Sequence, residues 1–373
     1  MKKKNERSAA MRFILKLFIF LIPFISLLAV YFLNDPFMVL KHYDRYDNSP
    51  VMLNESYIGW QMYMNNRDSI AFDSFIMGNS CTMAYPCREW EKYLNGGRAI
   101  RLFGNAESIA AICKKLQALE ENGAEIKNLL LILDKESLGK DQLLNGHNYV
   151  LPPALSGISN FSFQEKFCQA FFFPNFLLPY LDYKIFHQYR PYMKGVINPY
   201  GVVRDPVTND AINPREEMIQ REGEAYWESH KKEFQKTRDP NYRNGKYRKG
   251  EPFVKARDCN YRNGEYREGE RFLWETQTEL LKEIDQICRK HNTSVKIIIS
   301  PDYSQISINP ADVEILKRFF GDTNVFDFSG INEYTNDIHN YYERGQCFFQ
   351  MIIHQGCLLG TKLLKRIYQE DKN

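Results

Sequence analysis

Phe72-Asp73-Ser74-Phe75-Ile76-Met77-Gly78-Asn79-Ser80 is a strand-like apolar run that closes on glycine, asparagine and serine. In open α/β sheets the carboxyl ends of the strands carry the chemistry. A glycine at that point permits a tight strand-to-helix turn. The helix N-terminus that follows favours negative charge beside the serine hydroxyl. Ser80 is therefore the candidate nucleophile.

Four further strand-like runs extend from this one, at 99–105, 129–134, 295–300 and 325–328. With 74–80 they make five. Several are nearly continuous apolar stretches, the pattern of strands covered on both faces in a parallel sheet. Amphipathic helices separate them. A short one is expected at 88–94. A longer one at 107–121 puts Ile109, Ile112, Leu116 and Leu119 on one face, and 272–291 groups Leu273, Leu280, Leu281, Ile284 and Ile287. Asn309-Pro310 has the form of a helix start, with a cap and a proline in the first turn. The alternation predicts an α/β fold: a three-layer α/β/α sandwich around a mainly parallel five-stranded sheet in flavodoxin-like order.

The 373 residues are 44% apolar and 25% charged, which excludes a disordered chain. The formal net charge of +3 is concentrated at the start. Lys2, Lys3, Lys4, Arg7, Arg12 and Lys16 face only Glu6, so the remainder is slightly acidic. Such a bias reads as a membrane topology signal and excludes a nucleic-acid footprint. Residues 17–33 are apolar apart from Ser26 and include Pro23; with 12–16 they suffice to cross a bilayer. No small-x-small cleavage site closes the run. The expected layout is a cytoplasmic basic tail (1–12), a transmembrane signal anchor (13–33) and an extracytoplasmic remainder. That remainder divides into a linker and lead-in segment (34–70), a first domain part (71–138), an insertion (139–271) and a second domain part (272–373). The eight cysteines fit no zinc spacing. Cys81 and Cys113 fall where an α/β core buries small residues, so reduced thiols and the disulfides of an exported protein both fit.

The insertion is too long for a loop in a compact domain. Residues 161–192 are dense in Phe, Tyr and Leu; a buried clamp is the first expectation, a lid or a membrane-surface contact the alternatives. Residues 238–251 recur as 257–270. Each copy is centred on Asn-Gly, at Asn244-Gly245 and Asn263-Gly264, which predicts two tandem hairpins.

A serine attacks a carbonyl when a base takes its proton and donors hold the oxyanion. Phe103-Gly104-Asn105-Ala106 ends the second strand, and Gly104 and Asn105 are the candidate donors beside the backbone at Ser80. At these residues the chain resembles the SGNH/GDSL hydrolase superfamily over 70–138 and 293–370. The resemblance is strongest to membrane-anchored extracytoplasmic members similar to alginate-type O-acetyltransferases and D-alanyl-lipoteichoic acid transfer proteins. Gly78-Asn79-Ser80 resembles the nucleophile block and Gly104 the glycine of the oxyanion hole. Asp134 stands where the third block supplies asparagine. Ser300-Pro301-Asp302-Tyr303 ends the fourth strand as in related anchored members.

The last block of that superfamily reads Asp/Glu-x-x-His before a C-terminal helix. Two registers compete here. One runs Asn340 to Gln346 with Glu343 as acid and Gln346 in the histidine position. The other centres on His354, with Met351 three residues before it and the glycine and helix correctly spaced after it. His354 is the favoured base, oriented by Glu343 or Asp337; His339 reads as a solvated loop histidine. The resemblance implies a membrane-anchored serine esterase or O-acyltransferase working through an acyl-serine, with an envelope polysaccharide or an acyl-donor protein as partner. A catalytically degenerate binding module of the same fold is the alternative. No metal, nucleotide or flavin motif is present, and no cofactor is expected.

Overall fold

The fold is seen in a computed structural model that describes residues 2–47, 49–198, 203–212, 221–236, 269–302, 305–340 and 359–370. Five strands form its main sheet: β1 (Ser74–Gly78), β2 (Ala99–Arg101), β3 (Asn128–Leu133), β4 (Ser294–Ile299) and β5 (Val325–Asp327). Their order is β2-β1-β3-β4-β5, and every neighbouring pair is parallel. All five carboxyl ends therefore lie along one edge of the sheet.

The continuous apolar runs are explained by burial on both faces. Phe75, Met77, Leu129, Leu131, Leu133, Ile297 and Ile299 belong to one cluster. The alternate residues Ile76, Leu130, Ile132 and Ile298 belong to another. Against the first pack α2 (Glu55–Ile70), α3 (Ile109–Glu121), α6 (Glu275–Lys290) and α7 (Pro310–Phe320), through residues such as Trp60, Leu116, Ile284 and Leu316. The second takes Trp90 of the short helix Cys87–Glu91 and Leu363, Leu364 and Ile367 of α8 (Leu359–Glu370).

The lead-in stretch 34–70 holds more structure than a linker. Its helix α2 is capped by Asn54 and sends Trp60 and Tyr63 into the sheet's core. The second strand is shorter than 99–105, although the chain beyond Arg101 stays beside β1. It keeps two bonds to β1: Leu102 N–H to Ile76 O (2.9 Å) and Gly104 N–H to Gly78 O (3.1 Å).

Part of the insertion covers the exposed edge of β2. Thr208 O accepts from Arg101 N–H at 2.9 Å, and Asn209 donates its side-chain amide to Arg101 O at 2.9 Å. Arg101, buried on the strand, pairs with Asp210 at 2.6 Å, and Arg204 pairs with Glu55 of α2 at 2.6 Å. An open parallel edge invites pairing with another chain, and this docking closes it.

Away from the sheet, α1 (Lys2–Asn34) carries the stretch Met11–Asn34, long and apolar enough to span a membrane. Two helices from the aromatic part of the insertion, α4 (Asn160–Phe172) and α5 (Pro174–Phe186), form a hairpin against the end of α1. Phe163, Phe167, Phe171, Phe176 and Tyr180 are buried there with Tyr31 and Phe37, as a clamp requires. Phe161, Phe173, Leu178, Ile185 and Phe186 of the same hairpin are exposed. The duplicated segments 238–251 and 257–270 lie outside the described residues, except for 269–270.

Candidate functional site

Ser80 opens a single 3-10 turn, Ser80–Ala84, directly after β1. Gly78 makes that exit geometrically possible. Its φ of +142° is a conformation that side chains rarely adopt, and a Cβ there would lie 2.1 Å from Ile132 O of the neighbouring strand. Asn79 then fixes the turn. Its Oδ1 accepts from Cys81 N–H (2.9 Å) and its carbonyl from the Thr82 hydroxyl (2.9 Å). Its amide donates to Asp134 Oδ2 at 2.8 Å, crossing from β1 to the end of β3. Helix α8 braces the turn from the other side, so closely that a Cβ on Gly360 would meet Ala84 O at 1.9 Å. The half-buried Ser80 hydroxyl itself has no hydrogen bond among the described residues.

The neighbouring strand ends are less free. Gly104 lies beside this turn, but its N–H is directed at Gly78 O. Asn105 donates its side-chain amide to Leu53 O (2.9 Å) and Asn148 O (3.1 Å). Asp134 caps the helix Lys135–Gly139, its Oδ1 accepting from Ser137 N–H and from the Ser137 hydroxyl, each at 2.8 Å. Both carboxylate oxygens of Asp134 therefore already have partners. Lys135 pairs with Asp302 beyond β4 at 2.5 Å, and Cys81 is disulfide-bonded whereas Cys113 is a free buried thiol.

Beneath Gly104 lies a group that the sequence reading passed over. Glu107 is fully buried, with Lys115 of α3 2.5 Å away. Burial pushes its carboxyl up to about 7, against the opposing pull of Lys115. A Cβ on Gly104 would sit 2.9 Å from Glu107 Oε1 and 2.5 Å from Ser56 Oγ, so the glycine is required for this contact. In the sequence Glu107 looks like an ordinary acidic residue at a helix start; the paired signal was Lys115, a lysine on the buried face of α3.

Asp337 is placed against His339. Its Oδ1 lies 2.8 Å from His339 Nδ1, while His339 Nε2 faces Glu224 of the insertion at 3.3 Å. Trp227 stands edge-on to the ring at 5.6 Å. Partial burial lowers the histidine's pKa, but the hydrogen bonds and charges of Asp337 and Glu224 outweigh it, and the net shift is upward. The imidazole expected to be solvated is thus a clasp between the insertion and the chain beyond β5. Glu343, Gln346 and His354 lie outside the described residues. Among the described residues no three His, Cys, Asp or Glu side chains gather as a metal site would require.

A cavity of about 240 Å³ opens at the bend of the hairpin, lined by Met52, His147, Asn148, Phe173 and Phe176 among others. Burial lowers the His147 pKa to about 4. The same Asn148 carbonyl that lines this space accepts from Asn105. The chain matches no protein-family model, no curated protein and no solved structure.

Proposed function

We propose that this protein is a membrane-anchored serine esterase or O-acyltransferase of the SGNH type, acting outside the cytoplasm on an envelope glycan or a related acylated substrate. One observation carries the reading. Asn79, Cys81 and Thr82 around the turn are locked by hydrogen bonds, while the Ser80 hydroxyl at the carboxyl edge of a parallel sheet is left unclaimed. A fixed backbone with an available hydroxyl is what a nucleophile needs. The fold behind this reading is a three-layer α/β/α sandwich in flavodoxin-like order, supported by the two separate apolar clusters and the strand sequence.

In this mechanism Ser80 attacks the acyl carbonyl, His354 takes its proton, and the acyl group passes to water or a sugar hydroxyl. Support for His354 is a matter of reach. Gly360, packed on Ala84 of the serine turn, follows it by six residues, a span of at most about 20 Å when extended. Glu343 or Asp337 would orient the imidazole; if Asp337 does, it must leave His339. Glu107 would hold the Gly104 corner from below.

A second reading is favoured by the donors already committed at Gly104 and Asn105 and by the full coordination of Asp134. In that reading the same fold is a degenerate module that binds a glycan or an envelope partner. Labelling of the full chain in membranes with a fluorophosphonate probe separates the two. Labelling that disappears in Ser80→Ala and falls sharply in His354→Ala is expected. Absence of labelling in folded protein, or labelling that survives Ser80→Ala, leaves the binding module.

A further inference from the structure

The cavity at the bend of the hairpin is walled by separate stretches of chain. The bend supplies Phe173 and Phe176, and residues 51–52, 147–148 and 195–196 close the rest. Each stretch is held by bonds of its own. Val51 bridges Ile197, and Met52 N–H donates to Val196 O at 3.4 Å. Asn54 donates its side-chain amide to His147 O (2.7 Å) and Val150 O (2.8 Å), and Asn105 donates to Asn148 O (3.1 Å). At the bend, Phe173 N–H donates to Ala170 O (3.2 Å), and the Phe176 ring packs on Phe37 at 4.6 Å. The space is therefore built before anything enters it, and a site already in shape loses little further freedom on binding.

The lining defines what would fit. It is apolar apart from His147, Asn148 and Asn175, and it carries no charged side chain among the described residues. The three polar side chains are largely unclaimed. The His147 ring lies against Phe37, Phe167 and Phe176 and has no hydrogen bond among the described residues. Burial disfavours its imidazolium form, so the ring is neutral at ordinary pH. Among the described residues the Asn148 side chain donates only to Met52 Sδ, at 3.8 Å, and its Oδ1 has no partner. Asn175, exposed at the bend, has no side-chain hydrogen bond among the described residues. An ion of either sign would give up water here without meeting a counter-charge, which is costly. A neutral molecule with an apolar body and a hydrogen-bonding group would not. An engineered apolar cavity of about 150 Å³ holds benzene. In proportion, about 240 Å³ suits a molecule of about ten non-hydrogen atoms.

We propose that this cavity is a binding site for a small neutral molecule with an apolar body and one hydroxyl, the hydroxyl meeting His147, Asn148 or Asn175. The proposal does not depend on any reaction at Ser80.

The test uses the full chain in lipid nanodiscs, with isotope-labelled methionine methyl groups followed by nuclear magnetic resonance. The Met52 methyl, assigned through Met52→Ile, reports the cavity itself and is blind to ligand dissolved in the lipid. Three probes of one shape are titrated at neutral pH: para-propylphenol, propylbenzene and para-propylbenzoate. The phenol is expected to move the Met52 resonance saturably, with a dissociation constant on the order of 0.1–1 mM for a ligand of this size. Propylbenzene, lacking the hydroxyl, is expected to bind about fivefold more weakly. The benzoate, an anion, is expected to bind more weakly than the phenol by about tenfold or more. Ala170→Leu, which fills the space, is expected to abolish the response, and Val196→Phe serves the same purpose if that variant does not fold. A Met52 resonance indifferent to the phenol would overturn the proposal. A response that survives both filling variants would overturn it by placing the ligand elsewhere. Equal affinity for phenol and benzoate, or for phenol and propylbenzene, would overturn it by showing that the site selects neither neutrality nor the hydroxyl.

Discussion

The sheet and the aromatic hairpin are both rich in large apolar residues, yet they dispose of them differently. The strands bury nearly every one, alternate residues on alternate faces, with protein on both sides. The hairpin buries one face against Tyr31 and Phe37 and leaves the other bare. The lesson is that apolar content alone does not say what solvent a surface was built for. The neighbours decide: helices surround the sheet, whereas a membrane-length helix flanks the hairpin.

The sharpest way to break the contrast is at Gly78. Gly78→Ala would force a Cβ to 2.1 Å from Ile132 O at a positive φ, and is expected to destabilise the domain by more than about 4 kcal/mol. Loss of folded protein, followed by tryptophan fluorescence during denaturant unfolding, checks this. Next comes the buried pair beneath the site. Glu107→Leu leaves the Lys115 ammonium unpaired in the core, an effect of about 3–5 kcal/mol, and adding Lys115→Met is expected to restore most of it. Equal unfolding midpoints for single and double variants would contradict that account.

The packing at the hairpin's bend should respond to acid. His147, packed on Phe37 at 5.1 Å, has its pKa lowered by burial to about 4. Between about 4 and 6.5 the unfolded chain binds a proton that the folded one excludes, so stability falls as pH drops through that window and is level above it. A loss on the order of 2–3 kcal/mol across the window is expected, and its absence from His147→Phe, measured by unfolding at stepped pH, identifies the group. The smallest effect belongs to exposed positions. Phe161→Ala, at a residue 78% exposed, is expected to change stability by less than about 0.5 kcal/mol in detergent, whereas Phe171→Ala in the same helix is expected to cost about 3–5 kcal/mol.

The strands were legible because burial on both faces leaves an unbroken apolar run. Each observed strand falls within a residue or two of its expected start, and the deviations have local causes. Beyond Arg101 the second strand keeps its bonds to Ile76 and Gly78, while the Asn105 side chain turns to Leu53 and Asn148. Helix α2 was hidden because Asn65, Asn66, Arg67 and Asp68 give its second half the composition of a loop. Its packing face is carried by Ile58, Trp60, Met62 and Tyr63 in the first half of the helix. At the site, the glycine-to-serine turn could be read from spacing. The committed state of Asn105 could not, nor could the Asn79 contact of Asp134, since these partners come from residues 53, 148 and 79, which local pattern does not bring together; only the Asp134–Ser137 cap is local. Glu107 escaped although its partner is local, because the lysine on the buried face of α3 does not read as its counter-charge.

Asn105 makes the two regions mechanically continuous. Its amide grips the 51–53 and 147–148 segments that wall the space under the hairpin, and its backbone continues the Gly104 corner beside the serine turn. A displacement of α4 and α5 would press on that wall and be felt at residue 104 through a single side chain.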